Sequence, residues 1–154
     1  MYYLAQLNIA KTLASLEDPI MADFVNNLDR INALAESSPG FVWRLKDDDD
    51  TMAESVFGDH SLVINMSVWK SIDDLFNFTY KSDHIEIFAR RKEWFSKIDS
   101  FHMVFWYVKQ DHFPTLEEAK ARLDHINTHG ETPFAFTFKR KYSVDDYLNH
   151  NLTI

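Results

Sequence analysis

The stretch YKSDHIEIFARRKEWF, residues 80–95, holds the side chains best suited to chemistry. On a helical wheel stepping ~100° per residue, His84 and Arg91 share one side with Ile87, Phe88, Trp94, Phe95 and Ile98. Glu86, Ala89, Arg90 and Glu93 fall on the other side. Imidazole titrates near neutrality, so His84 suits a general base or an axial metal ligand. A guanidinium set in an apolar stripe must meet an acid, a carbonyl, a ligand or water, because burying it unpaired is very costly. Arg91 is therefore a candidate for holding a carboxylate or stabilising an enolate oxygen. The plainer alternative has His84 bonding a backbone carbonyl at a helix start and Arg91 extending its head to water.

Asn65 is a third catalytic candidate. It interrupts the apolar run VINMSVW and shares a strand face with Val63, Ser67 and Trp69. Trp43, Trp69, Phe88, Trp94 and Trp106 are candidates for lining an apolar pocket, with His112 at its rim. Each has an ordinary alternative, since aromatics at strand or helix spacing also build cores. Arg44 alternates with Trp43 and faces the opposite side, which suits an interface or surface salt bridge. His125 and His129 are four apart on a helix, a metal-binding spacing. Their face is opposite Leu116, Ala119, Leu123 and Ile126 and is expected to be solvated, so no metal site is expected.

These residues need a frame, and the periodicity supplies one. Strands are expected at 2–9, 41–45, 61–69, 101–108 and 134–138. A helix follows Asp18 and Pro19 and ends at SSPG, residues 37–40. A short helix is capped by Ser71 with Asp74, and YKSDHIEIFARRKEWF follows as a second helical segment to about Ile98. Thr115 with Glu118 opens another, which stops at Gly130. KDDDDTMAES, residues 46–55, reads as a solvated loop. The order is β-α-β-β-α-β followed by α-β. Its first six elements match the ferredoxin-like unit, an antiparallel sheet with both helices on one face.

The second sheet face also lacks polarity. Val104, Trp106 and Val108 point one way along 102–108, and Met103, Phe105 and Tyr107 the other. A second subunit's sheet is the expected cover, which predicts a homodimer. The alternative is that the carboxy-terminal tail folds back over it.

A single domain spanning 1–154 fits the 154-residue length. The net charge of −8 disfavours nucleic acid as a partner. The absence of cysteine excludes thiolate chemistry. With three glycines, neither GxGxxG nor a P-loop occurs. The opening MYYLAQLNIAKTL lacks a signal-peptide pattern, and no apolar run is long enough for a membrane span. A cytoplasmic location is expected.

The segments LAQLNIA, DRINALAESSPGFVWRL, SVWKSIDDLFNFTYKSDH, RRKEWF and HFPTLEEAKARLDHINTHGETPFAFTF resemble an uncharacterised bacterial family grouped with the dimeric α+β barrel proteins. The resemblance implies a dimeric α+β barrel with a pocket between sheet and helices. The superfamily holds cofactor-free monooxygenases of the antibiotic-biosynthesis type and haem-degrading monooxygenases. The haem-degrading branch uses an Asn on the first strand, a Trp after the third and a His on the next helix. Asn8 and Trp69 are similar to the first two, which makes Asn8 a ligand-binding candidate. The histidine position falls near Ala89, more than a helical turn beyond His84. The expected function is binding of a small apolar or aromatic molecule, with cofactor-free, monooxygenase-like action on an enolisable substrate. Haem binding and a non-catalytic interaction dimer are the alternatives.

Overall fold

β1 (Tyr2–Thr12) is the strand around which the chain is organised. The computed structural model describes residues 1–46, 56–59 and 61–152. The acidic run of the expected loop at 46–55 lies outside the described residues beyond Lys46.

β1 pairs antiparallel with β3 (Leu62–Trp69) from Leu4↔Trp69 to Lys11↔Leu62. Its other side pairs antiparallel with β5 (Met103–Lys109), from Tyr2↔Lys109 to Asn8↔Met103. The two-residue β4 (Phe95–Ser96) meets the far end of β1 at Lys11 and Thr12. β2 (Phe41–Arg44) pairs with β3 alone, with a register shift between Phe41 and Trp43. The expected β-α-β-β-α-β core is therefore present, with β1 in the middle of its sheet.

The helices are α1 (Ala22–Glu36), α2 (Ile72–Lys81), α3 (His84–Ala89), α4 (Leu116–His129) and α5 (Val144–Leu152). α1 and α2, the helices of the ferredoxin-like unit, share one sheet face. Ala35, Ile72, Leu75 and Phe78 pack with Leu4, Trp69, Phe105 and Tyr107. Gly40 sets the approach of α2 to the sheet. Its φ is +82°, and a Cβ there would lie 2.1 Å from the Asp74 carboxylate.

The expected closed dimeric barrel is corrected. The sheet is open: among the described residues β2 pairs with nothing beyond β3, and β5 gains one bridge, Phe105↔Phe136. The face reserved for a second subunit is covered by the chain itself. α4 lays Leu116, Ala119, Leu123 and Ile126 on Ala5, Leu7, Met66, Val68, Val104, Trp106 and Val108. Covering both faces explains why Leu4, Ala5, Gln6 and Leu7 are buried in succession rather than alternately. It also removes the reason for invoking a second subunit's sheet.

Two further expectations are corrected. Residues 134–138 do not form a strand. Glu131 accepts hydrogen bonds from the Thr137 amide (2.8 Å) and hydroxyl, turning the chain off β5 after one bridge. Residues 80–98 are not one helix. Ser82 is extended (φ −115°, ψ −179°), α3 ends at Ala89, and Arg91–Glu93 make one 3₁₀ turn before β4. No helix among the described residues is long and apolar enough to cross a membrane.

Candidate functional site

Three cross-strand rows run over the face shared with α1 and α2. The first is Trp69–Leu4–Tyr107, the second Ser67–Gln6–Phe105, the third Asn65–Asn8–Met103. Every member of the first two rows is buried. In the third, Asn8 and Met103 are half-buried and Asn65 is exposed. The face thus opens towards a polar ledge.

Gln6 organises that ledge. Its Nε2 donates to Asn65 Oδ1 at 2.6 Å and to Ser67 Oγ at 2.8 Å. Its Oε1 accepts from Asn8 Nδ2 at 3.2 Å. Trp69 Nε1 also donates to Ser67 Oγ, at 2.9 Å. A glutamine amide buried to 3% exposure needs such partners, since an unpaired one costs ~1–3 kcal/mol. Asn65 Nδ2 and Asn8 Oδ1 make no hydrogen bond among the described residues, and neither is a buried orphan. The ledge therefore offers a free donor beside a free acceptor. Gln6 and Ser67 were not among the sequence candidates. Their signal was positional: Gln6 shares its strand face with Asn8, and Ser67 shares one with Asn65.

His84 adopts the plainer of its two expected roles, without losing its other nitrogen. Its Nδ1 lies 3.0 Å from Thr79 O, one of the carbonyls left open where α2 ends. The Ser82 hydroxyl accepts from the His84 amide at 3.2 Å. The ring lies 4.9 Å from Phe78 and 6.2 Å from Phe88, and Phe78 stacks on Trp69 at 5.2 Å. His84 is thus joined to the Trp69 row through one intervening ring. Burial lowers its pKa, and the contact with Thr79 O opposes that only in part. With Nδ1–H donating to Thr79, Nε2 carries the lone pair.

Arg91 is exposed. It lies over the Phe88 ring at 4.3 Å and donates to Phe88 O at 3.2 Å. The wheel failed here because the helix stops at Ala89. The neighbouring Arg90 takes the ionic role instead. It pairs with Asp23 of α1 and with Glu93, each at 2.8 Å, and lies over Trp94. These acids raise its pKa, and Arg90 in turn holds Glu93 low. Trp94 is buried at 1% exposure beside Phe24. Arg44 makes the expected salt bridge, 2.6 Å from Glu36 at the end of α1.

The structure does not bring Trp43, Trp106 and His112 together with the amides. They lie on the α4 side. Trp106 Nε1 donates to Glu118 Oε2 at 2.8 Å, and His112 Nε2 meets Glu118 Oε1 at 2.6 Å. Trp43 lies 5.5 Å from Phe113 in the loop before α4. An open depression of about 490 Å³ touches Met1, Tyr2, Lys109, Gln110, Asp111 and His112. Another of about 350 Å³ touches Val56 and α4. Neither reaches His84, Asn8 or Asn65.

Haem does not fit this donor set. The histidine that the resemblance implies for haem falls near Ala89, which has no donor atom. His84 lies five residues earlier, with its ring between Phe78 and Phe88.

Residues 3–152 match the family described as Domain of unknown function (DUF3291), and the chain belongs to that family. No curated protein matches it. Among solved structures it is similar to the NE2512 protein of unknown function from Nitrosomonas europaea. That match has 13% identity and a TM-score of 0.47, covering 75% of this chain and 97% of the other. It is also similar to SnoaB, a cofactor-independent oxygenase from Streptomyces nogalater, at 15% identity and a TM-score of 0.46, covering 77% and 100%. A third similar structure is PA3566 from Pseudomonas aeruginosa, at 12% identity and a TM-score of 0.46, covering 70% and 93%.

Proposed function

We propose that the ledge of Asn8 and Asn65 binds a small aromatic molecule, and that the chain acts on it in the manner of a cofactor-free monooxygenase. The observation that carries this reading is the pair of asparagines held by buried Gln6, each with an unfilled hydrogen-bonding atom at the open end of the face. Small-molecule sites combine an apolar body with a few fixed polar groups. Here the apolar body is Phe78 and Phe88, with buried Trp69 stacked behind Phe78, and the polar groups are Asn8, Asn65 and His84.

In this reading His84 Nε2 removes a proton from an acidic C–H of the substrate. Asn65 Nδ2 donates to the oxygen that carries the resulting enolate charge. The anion passes one electron to dioxygen and the two radicals combine. The peroxide formed takes up the proton and loses water. One oxygen atom ends as a new carbonyl, the other as water, and the substrate's CH₂ has become C=O. Phe88 and Arg91 would stand at the His84 end of the substrate.

The test is oxygen uptake by the purified protein with an enolisable phenolic substrate. Asn65→Ala and His84→Ala should each slow turnover, by about 10²-fold or more for loss of a general base. Turnover unchanged in His84→Ala would remove the base, and turnover unchanged in Asn65→Ala would remove the ledge.

A further inference from the structure

Gln6 does more than fill a hydrogen-bonding need. Because both Nε2 hydrogens are used, on Asn65 Oδ1 and Ser67 Oγ, Asn65 must turn its oxygen inward and its Nδ2 outward. Because Gln6 Oε1 faces Asn8 Nδ2, Asn8 must turn its Oδ1 outward. Asn8 and Asn65 are direct cross-strand partners, so the two outward atoms come from neighbouring positions. An isolated asparagine could present either end, whereas one buried side chain couples this pair, so that one presents an acceptor where the other presents a donor.

We infer that Gln6 fixes Asn8 and Asn65 as an acceptor beside a donor, a combination that takes the uncharged cis-amide edge of an aromatic lactam or carboxamide. This rests on the reading of the ledge as the binding site and names the ligand class for it. A cis-amide carries C=O and N–H side by side, pointing the same way and unable to bond each other. Its oxygen takes Asn65 Nδ2 and its N–H gives to Asn8 Oδ1. An ionised carboxylate or a phosphate presents only acceptors, and Asn8 Oδ1 would repel it. A hydroxyl beside a ketone spends its hydrogen internally and has none left for Asn8. The match therefore selects by the order of donor and acceptor, a kind of recognition in which a missing N–H leaves a site group unpaired.

The test uses the full chain and three probes: 2-quinolone, N-methyl-2-quinolone and naphthalene. Binding is followed by the side-chain amide resonances of ¹⁵N-labelled protein. The wild type should bind 2-quinolone about tenfold tighter than its N-methyl analogue, with the Asn65 amide resonances shifting most. Asn65→Asp replaces the outward donor by an acceptor at an exposed position, so the fold should persist. Gln6→Met removes both anchors without adding charge. In each variant the preference should fall to about twofold or less, and naphthalene, which carries neither group, reports any general loss of the aromatic surface. That ratio separates orientation of the amides from mere support of the fold. Equal binding of the two quinolones by the wild type would overturn the inference and leave the ledge as an aromatic site. A preference retained in Asn65→Asp or Gln6→Met would also overturn it. No shift at Asn8, Gln6 or Asn65 with any probe would overturn the proposed site itself.

Discussion

The two faces of β1 begin with the same opportunity and use polarity differently. Towards α4, Ala5 and Leu7 meet Met66, Val68, Val104 and Trp106. The indole N–H there is closed off by Glu118, whose other oxygen is taken by His112. Towards α1 and α2, Gln6 and Asn8 meet Ser67 and Asn65, and the chain of hydrogen bonds ends in an open donor and an open acceptor. Strand alternation alone does not choose between these outcomes. The choice comes from register, because Gln6↔Ser67 and Asn8↔Asn65 place four polar side chains on one patch. A polar residue opposite an apolar one must be closed by a helix, whereas polar residues opposite one another can support each other and leave an edge free.

Removing one residue from each face should separate the two by stability. Trp106 is 0% exposed. Trp106→Ala should destabilise the chain by about 3–5 kcal/mol, as large-to-small core changes do. Asn65→Ala removes one bond at a site water can reach, and should cost about 1 kcal/mol or less. Urea unfolding of both variants checks the contrast. Comparable stability losses would show that the amide face is as structural as the other.

A second, smaller effect concerns His84. Its folded pKa lies below its ordinary value of 6.5, chiefly through burial. The unfolded chain therefore binds the proton more readily, and stability rises with pH across that window. Stability should be complete above about pH 6.5 and fall as pH drops through the lowered folded value. His125 acts with the same sign, from burial and then from His129, His150 and Arg122. The difference between wild type and His84→Gln isolates His84. A pH dependence identical in the two would show that His84 is not protected by its surroundings.

The sequence showed much of the frame and less of the site. The strand periods around Ala5, Ile64 and Val104 and the caps at Ser71 and Thr115 were readable because they depend on neighbours a few residues away. The cover supplied by α4 was not, since the side of a sheet on which a helix lands is decided by contacts far along the chain. Asn65 was visible as a polar residue in an apolar run. Gln6 was visible only as a residue on the same face as Asn8, and its partners, Asn65 and Ser67, are about sixty positions away. The helical wheel erred at Arg91 for a local reason. Extended Ser82 and the end of α3 at Ala89 reset the helical phase, so Arg90 rather than Arg91 meets Asp23 and Trp94.

Arg91 provides the smallest effect. The wheel gives it a central place in a buried stripe, where loss of its partner would cost several kcal/mol. The structure gives it the ring of Phe88 and one carbonyl at an exposed turn, contacts worth about 1 kcal/mol at most. Arg91→Ala should therefore shift urea stability by no more than about 1 kcal/mol. It should leave the quinolone preference of the ledge unchanged, because none of its contacts reaches Gln6, Asn8 or Asn65. Arg91→Lys sharpens the same point by keeping the charge while losing the flat contact with Phe88. If Arg91→Ala weakens binding and Arg91→Lys restores it, the charge itself meets the ligand and adds to the contacts of the ledge and His84.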